Sequence, residues 1–379
     1  MIKNKALWEI VKITKWKKVD FSDKWEKWYI DIWILRTNQI VQYTDDNWVE
    51  CNDNDILIAW DWSKSWTIWY WLNWIIWSTL AKLEITEKDI YTPYVWEFLK
   101  SKFDYLNTYT SWAAIPHIRK EVLVWIEIPL PPLKTQKAIV AKLDQIFAEL
   151  DQTKSEIQKN LDNADELWKS ALNQAFQGDW EVKKLGEVCD FVRWPFGWSL
   201  KKEIFVKEWY AVYEQQHAIY NQFSDFRYFI NDEKFLEMKR FEVYPWDLIM
   251  SCSWTMGKVS IVPKNSPKWI INQALLKITP SKLINAEFLK NWMDSKDFQD
   301  QIWANTQWAA IQNVASVKVI STLNIPVPPL SEQEKIVEHL DQVSKEVKAL
   351  KSQYQSQLDN LEELKKSVLD KAFRWELGE

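Results

Sequence analysis

Glycine, cysteine and histidine are all scarce in this sequence of 379 residues, with five, three and three copies respectively. An ordinary domain is about 7% glycine, so most tight turns here cannot use glycine to reach a positive φ. The cysteines are scattered and odd in number (Cys51, Cys189 and Cys252), which argues against a disulfide framework or a zinc site and favours a reducing cytoplasm. Three histidines provide few ligands for a metal centre and few groups for acid–base catalysis.

Membrane and catalytic signatures are missing as well. No uncharged run of about 18 apolar residues is present to span a membrane, and the segment Met1–Lys5 lacks the apolar core of a signal peptide. There is no Gly-x4-Gly-Lys-Ser/Thr phosphate loop and no His-Glu-x-x-His motif. The segment Val327–Leu330 lacks the Asp or Asn that opens the Asp/Asn-Pro-Pro-aromatic tetrad of amino-methyltransferases. We therefore expect a cytoplasmic protein that is not an enzyme and holds no cofactor or metal of its own.

The net charge does not by itself indicate a nucleic-acid partner. The chain carries 48 basic and 53 acidic side chains, a net charge of −5. Residues 1–133 hold 16 basic and 18 acidic groups, and residues 179–330 hold 18 and 17. Neither segment is polybasic, so binding to nucleic acid would depend on a local basic face or on a basic partner.

The residue in excess is tryptophan, with 28 copies. The run Ala59–Trp71 spaces indoles among polar turn residues, at places where a positive φ is expected and where glycine would fit. A protein that is truly rich in tryptophan is one interpretation. The other is that many of these tryptophans stand where the native protein has glycine.

An internal duplication allows these interpretations to be compared. Ile128–Leu133 recurs as Ile325–Leu330, and Ala175–Gly178 recurs as Ala372–Trp375, each 197 positions later. Aligning the two copies sets a Trp against a Gly three times: Trp375 with Gly178, Trp8 with Gly186, and Trp69 with Gly257. We interpret such tryptophans as UGA codons in a gene whose host reads UGA as glycine.

Two segments show apolar residues at alternating spacings of three and four, the near-heptad pattern of a long helix packed along one stripe. Each would be about 60 Å long for about 40 residues. Both helices need an apolar partner and a globular segment lies between them, so we predict an antiparallel intramolecular coiled coil. A homodimeric coiled coil is the alternative. The predicted pairing residues are Ile139, Leu143, Ile146, Leu150, Ile157, Leu161, Ile336, Leu340, Val343, Val347, Leu350 and Leu358.

The predicted organisation is therefore globular, helical, globular, helical, with α+β heads. We expect a first head at 1–133, a first arm at 134–178, a second head at 179–330 and a second arm at 331–379. The heads show short strand-like stretches such as Asp55–Ala59 and Asp247–Met250, each following turn signals.

Taken in order, these segments resemble the specificity subunit of type I restriction–modification systems. The resemblance rests on Lys184–Val188, Thr306–Asn313, Ile325–Gln333 and Leu364–Phe373, together with their first-copy equivalents. It covers essentially the whole chain. It implies that each head is a target recognition domain reading one half of a split duplex DNA site, and that the arms set the spacing and dock two methyltransferase subunits. S-adenosylmethionine, ATP and Mg would then lie on partner subunits, a restriction/translocase subunit among them in systems that cleave.

Candidate DNA contacts come from side-chain chemistry, because Asn and Gln read adenine, Lys and Arg read guanine or phosphate, and Ser and Thr read either base. For each of them the alternative is an exposed or turn-stabilising group. The candidates in the first head are Lys64, Ser65, Thr67, Tyr109, Thr110 and Ser111. Those in the second head are Lys201, Lys202, Gln215, Gln216, Ser251, Ser253, Thr255, Lys258, Thr306, Gln307, Gln312 and Asn313.

Two other functions remain open from the sequence. The tryptophans, taken literally, would suit a protein that stacks single-stranded nucleic acid or carbohydrate on indole faces. The arms alone would suit a coiled-coil scaffold. Because the two heads differ in most residues, the DNA-reading hypothesis predicts an asymmetric bipartite site.

Overall fold

The computed structural model describes residues 3–15, 27–30, 43–44, 49–60, 68–69, 75–76, 80–108, 119–194, 200, 202–252, 255, 257–266, 269–306 and 317–374. The chain divides into two compact units, Met1–Gln158 with Gln355–Glu379, and Lys159–Tyr354. Each unit contains one head and parts of both arms. Among the described residues, no helix is both long and apolar enough to cross a membrane.

Among its described residues, the first unit has nine short strands, several short helices, the start of one long helix and the end of another. Its strands are β1 (Lys3–Ala6), β2 (Val11–Lys15), β3 (Lys27–Ile30), β4 (Tyr43–Thr44), β5 (Ile56–Ala59), β6 (Ile68–Trp69), β7 (Ile75–Ile76), β8 (Leu80–Ile85) and β9 (Glu127–Leu130). Its helices are α1 (Leu7–Ile10), α2 (Thr92–Ser101), α3 (Phe103–Thr108), α4 (Lys120–Val124) and the first arm α5 (Leu133–Gln174), which continues into the second unit.

The second unit repeats this arrangement with a longer head. Its strands are β10 (Val182–Lys184), β11 (Cys189–Arg193), β12 (Tyr210–Tyr213), β13 (Phe229–Ile230), β14 (Glu242–Val243), β15 (Leu248–Ser251), β16 (Val259–Ile261), β17 (Trp269–Ile271), β18 (Leu275–Pro280) and β19 (Asn324–Pro326). Its helices are α6 (Leu185–Val188), α7 (Gln215–Tyr220), α8 (Asp232–Glu237), α9 (Ala286–Asp294), α10 (Lys296–Thr306), α11 (Val317–Ile320) and the second arm α12 (Leu330–Phe373). Short 3-10 turns lie at Lys202–Ile204 and Lys239–Phe241.

The two heads have the same topology. A four-stranded antiparallel sheet runs in the order β2-β8-β5-β6 in the first head and β11-β18-β15-β16 in the second. A second sheet contains one parallel pair in each head, β3 with β7 and β12 with β17. The strand pairs β1·β9 and β10·β19 close each head beside its arm. The duplication in the sequence is therefore a duplication of the fold.

The register of the four-stranded sheets also agrees. In the first head Lys15 lies opposite Ala81, which lies opposite Ile58. In the second head Arg193 lies opposite Leu276, which lies opposite Met250. Because the side-chain period of a strand is two, this agreement means that corresponding residues face the same side of the sheet in both heads.

In the first unit, the start of α5 packs antiparallel to the end of α12. Asp151 pairs with Lys365 at 3.2 Å, and Lys154 pairs with Glu362 at 2.6 Å. A step of three residues toward the C-terminus of α5 thus matches a step of three toward the N-terminus of α12. The last aromatic of α12, Phe373, lies edge-on against Tyr94 of α2, with ring centroids 5.2 Å apart.

In the second unit, the end of α5 packs beside the start of α12 in the same antiparallel sense. Asp165 pairs with Lys351 at 2.6 Å. Phe176, just after α5, lies edge-on against Phe288 of α9 with centroids 5.3 Å apart, which matches the contact of Phe373 in the first unit. The arms therefore form the intramolecular antiparallel pair that the heptad pattern predicts, and not a pairing that needs a second chain.

The structure buries five of the predicted pairing residues, leaves six half-buried and exposes one. Leu143, Ile157, Ile336, Leu340 and Val347 are buried, and Ile139, Ile146, Leu150, Leu161, Val343 and Leu358 are half-buried. Leu350 is 37% exposed, so its assignment to the seam was wrong. After Val347 the next residues facing the seam are Lys351 and Tyr354, which are half-buried. The spacing from Val347 to Lys351 is four residues, so Leu350 lies to one side of the buried stripe.

A buried glutamine fastens each arm to the head that precedes it. The Gln136 side chain accepts from the backbone N–H of Tyr91 at 2.8 Å and donates to the carbonyls of Asp89 and Pro131. The Gln333 side chain makes the equivalent bonds. Its Oε1 accepts from Asn285, and its Nε2 donates to two backbone carbonyls. Both amides are almost fully buried and fully hydrogen-bonded, so they fix the first turn of each arm against its own head.

Candidate nucleic-acid interface

The turn that follows β15 in the second head is held closed by Ser251. The backbone N–H of Ser251 donates to the carbonyl of Lys258 at 2.9 Å, and that of Gly257 donates to the carbonyl of Ser251 at 3.0 Å. The Ser251 hydroxyl donates to the carbonyl of Thr255 and accepts from the N–H of Lys258. Ser251 is fully buried, so the structure corrects its assignment as a DNA contact: its hydroxyl stabilises the turn.

The same turn presents two predicted contacts to solvent. Thr255 and Lys258 are exposed. Gly257 between them has φ +76°, a conformation that favours glycine, and an added Cβ would come within 3.5 Å of Gln299 Oε1 in α10. A hydroxyl and an ammonium group on a braced turn can hydrogen-bond base edges or phosphates.

A basic side chain borders this turn on β11. Arg193 follows Cys189 and Phe191 on the face of the strand that packs on the core, at intervals of two residues. Burial raises the pKa of the nearby Cys252 thiol to about 11, and the positive charge of Arg193 opposes that increase. Strand register sets Arg193 across β18 from Met250, two residues before Cys252.

The first head has a lysine at the equivalent position. Lys15 follows Val11 and Ile13 on β2, and its Nζ lies 4.4 Å from the centroid of the Trp60 ring. Trp60 is buried directly after β5, as Cys252 is directly after β15. Both heads thus carry a cation at the third core-facing position of the equivalent strand.

A buried ion pair lies at the start of β5 and at the start of β15, at the opposite end of the strand from the turn that follows β15. Lys82 Nζ lies 3.3 Å from Asp55 Oδ2 and donates to the carbonyl of Glu50. Lys277 Nζ lies 4.0 Å from Asp247 Oδ2 and donates to the carbonyl of Glu242. Burial raises the pKa of the Asp247 carboxyl, against the hydrogen bonds that it accepts from Thr279 and from the backbone of Tyr244. These groups are enclosed and satisfied, so their role is to hold the strand ends.

Gln215 and Gln216 open the short helix α7 and are half-buried. The neighbouring His217 is fully buried: its Nδ1 accepts from the N–H of Glu214 at 2.8 Å, and its Nε2 lies 3.0 Å from the carbonyl of Asp225. Arg227 forms a two-bond ion pair with the Glu214 carboxylate. This polar cluster stabilises the second head, with the two glutamines at its edge.

The remaining candidates lie outside the described residues or have side chains that are not described. Lys202 begins a 3-10 turn and Thr306 ends α10, and only their backbones are described. The candidates outside the described residues are Lys64, Ser65, Thr67, Tyr109, Thr110, Ser111, Lys201, Ser253, Gln307, Gln312 and Asn313.

The sequence analysis did not single out Lys15 or Arg193, the cations that end β2 and β11. Each ends a strand in which the two preceding core-facing residues are apolar, and that break in an alternating pattern is the signal that could have found them. Within the described part of the chain, no group of three or more His, Cys, Asp or Glu residues could hold a metal ion.

Comparison with known proteins agrees with this two-headed architecture. A family model for the type I restriction modification DNA specificity domain matches residues 2–163 and 177–360. The EcoBI specificity subunit of Escherichia coli is 24% identical over 354 residues, covering 85% of this chain and 73% of that subunit. The MjaVIII specificity subunit of Methanocaldococcus jannaschii is 24% identical over 343 residues, covering 84% and 78%.

Solved structures share the fold over the full length. A chain from work on complex assembly and conformational transition of the type I R-M system aligns with a TM-score of 0.76 and 18% identity, covering 99% of this chain and 98% of that one. The HsdS subunit from Thermoanaerobacter tengcongensis aligns with a TM-score of 0.58 and 18% identity, covering 99% and 97%. Neither these relatives nor the described residues favour a single-strand or carbohydrate binder. The chain therefore belongs to the family of type I restriction–modification DNA specificity subunits, which recognise DNA and are not themselves enzymes.

Proposed function

We propose that this chain reads an asymmetric bipartite site in duplex DNA, with one half-site for each head, and docks two methyltransferase subunits. The observation that supports this most directly is that two heads share one strand order and one register but differ in surface chemistry. On the equivalent strands β2 and β11, for example, Lys12 in one head corresponds to Asp190 in the other. Heads that present different groups from the same framework would select different base sequences.

A protein that recognises a split site must hold its two heads at a fixed spacing, and the paired arms would provide that spacing. Charged residues lie on their outward faces, and buried glutamines fix their first turns to the heads. Chemistry on DNA would come from the partners, which would bring S-adenosylmethionine to the methyltransferase subunits and ATP and Mg to a restriction/translocase subunit where the system cleaves.

An electrophoretic shift assay with the methyltransferase subunits present tests this proposal. We expect the complex to shift a duplex that contains its site and not to shift single-stranded DNA of the same sequence. Preference for the single strand would contradict the proposal and support indole stacking. Omission of the methyltransferase subunits is the control for the contribution of the partners.

We also propose that some tryptophans stand at glycine positions, as UGA codons read as glycine in the host. Tyr244-Pro245-Trp246-Asp247 is a β-turn closed by the bond from the Asp247 N–H to the Tyr244 carbonyl at 3.0 Å. Trp246, after the proline, has φ +74°, which is the glycine position of a type II turn. Trp209 has φ +125°. Two of the three non-glycine residues with positive φ in the described part of the chain are thus tryptophans.

The duplicated positions support this proposal unequally. Trp8 and Gly186 occupy the same place in α1 and α6, where a Glu one residue later caps the helix in both heads. The pairing of Trp69 with Gly257 was wrong. Trp69 lies opposite Leu57 in the first head, and Ser260 lies opposite Ile249, the equivalent residue, in the second. Trp69 therefore corresponds to Ser260. In the remaining pair, Trp375 with Gly178, Trp375 lies outside the described residues. Mass spectrometry of the native protein tests the proposal: peptides containing positions 209 and 246 should show glycine, and indole masses there would overturn it.

A further inference from the structure

We infer that Gln273 reads an adenine in the half-site of the second head. This inference rests on the proposed function, and it names a residue that the sequence analysis did not single out. Gln273 lies in the turn between β17 and β18, and its side chain is exposed. Within the part of the chain that the structure describes, its amide makes no hydrogen bond, so both of its polar atoms are open to a ligand.

The backbone on both sides of Gln273 is fixed by bonds to other strands. The Asn272 N–H donates to the carbonyl of Tyr213 at 3.0 Å, which ties the turn to the end of β12. The Ala274 carbonyl accepts from the N–H of Cys252 at 2.9 Å, which ties the turn to the end of β15. The Ala274 N–H donates to Asn272 Oδ1 at 3.0 Å. A turn held in this way presents the Gln273 amide in a defined position, as recognition of one base requires.

The turn lies at the edge of the head where other candidate contacts are found. β12 and β17 are parallel and so end at the same edge, and β12 leads there into α7, which opens with the two predicted glutamines. The bond from Cys252 also places Gln273 beside the turn that carries Thr255 and Lys258. This edge therefore gathers amide, hydroxyl and ammonium groups, which bind base edges and phosphates.

A second cation lies near this turn. Because β14 is antiparallel to β17, the 3-10 turn Lys239–Phe241 that precedes β14 lies beside the carboxyl end of β17. Arg240 in that turn is exposed and makes no ion pair among the residues that the structure describes. Arg240 and Lys258 both have the chemistry to bind phosphate, so the DNA backbone can be held at the edge where Gln273 meets a base.

The chemistry of the side-chain amide selects the base. Nε2 can donate to N7 of an adenine while Oε1 accepts from its N6 amino group. The first head carries a different residue at the same place: three residues separate β7 from β8, as three separate β17 from β18, and the middle ones are Ser78 and Gln273. Ser78 lies outside the described residues. A difference at this position is expected of heads that read unlike half-sites.

The test uses the complex with its methyltransferase subunits and the motif that the wild-type complex methylates in cellular DNA. Gln273→Ala should relax one A·T position in one half-site and leave the other half-site unchanged. In competition assays the wild-type complex should prefer that A·T pair over a substituted pair by about 5- to 150-fold, the effect of one bidentate base contact. The variant should lose this preference.

Asn265→Ala is the matched control. Asn265 is also an exposed amide in a closed turn, 263–266, and it makes no hydrogen bond among the described residues. That turn follows β16, which is antiparallel to β15, so it lies at the opposite end of β15 from Gln273. Removal of the Asn265 amide should leave the motif and the preference unchanged.

The outcomes separate this inference from the function on which it rests. A wild-type complex that methylates no bipartite motif overturns both. A bipartite motif that Gln273→Ala leaves unchanged, or relaxes at a G·C pair, overturns the role of Gln273 alone. An equal loss of affinity for every duplex also overturns it, because that would indicate a general effect on the head. Thermal midpoints equal to that of the wild type confirm that both variants are folded.

Discussion

Replacement of Trp246 tests whether its turn is built for glycine. The indole is 49% exposed, so both Trp246→Gly and Trp246→Ala lose the same partial burial. Only alanine keeps a Cβ at φ +74°. A left-handed conformation costs an L-residue about 1–2 kcal/mol, and glycine's extra unfolded-state entropy offsets about 0.5–1 kcal/mol of that. We therefore expect the Gly variant to be more stable than the Ala variant by about 1 kcal/mol.

The thermal midpoint of the second unit is the suitable readout, because chains of two units depart from two-state unfolding. A difference of 1 kcal/mol corresponds to about 2–4 °C for a unit of this size. Trp125 provides the control, read on the thermal midpoint of the first unit, in which it lies. It is 68% exposed but has φ −92°, so there Ala should be the more stable replacement. An Ala variant at 246 that equals or exceeds the Gly variant would refute the glycine-turn argument.

Three further substitutions test the supports of the fold. Gln333→Leu should lower the free energy of unfolding, measured with denaturant, by about 3 kcal/mol, because it leaves the Asn285 N–H and two buried carbonyls without hydrogen bonds. Gln342→Leu, on the exposed face of the same arm, is the control and should be near neutral. Leu340→Ala should lower the free energy of unfolding by about 2–5 kcal/mol because its side chain is fully buried. Leu350→Ala should change it by no more than about 0.5 kcal/mol. Equal changes would contradict the seam described above. Burial raises the pKa of Glu97, despite its ion pair with Lys100. The folded state then binds more protons, so stability falls as pH rises from the unfolded pKa through the folded pKa. Glu97→Gln should remove that fall when unfolding is measured across pH, and a decline that persists would contradict it.

The arms could be predicted from the sequence because their periodicity is a local property. The expected segments, 134–178 and 331–379, correspond to helices Leu133–Gln174 and Leu330–Phe373. Leu350 was misassigned because a repeated spacing of seven does not show where the stripe of a real helix takes a step of four. The central strands β5 and β15 were also predictable, because each is a short apolar run.

The interface was much less predictable. Ser251 has the chemistry of a base contact, and only the structure shows that its hydroxyl closes a turn. The equivalence of Lys15 and Arg193 appears only when strand register aligns two heads whose sequences differ. Parallel pairing of β3 with β7 and of β12 with β17 joins segments far apart in the chain, which local patterns do not specify.

Two unlike heads on paired arms should recognise a split DNA site. The decisive experiment is to sequence the modified bases in DNA from cells that express this chain with its methyltransferase subunits. We expect two half-sites of different sequence separated by a gap of fixed length. A single uninterrupted motif, or a palindrome, would contradict it.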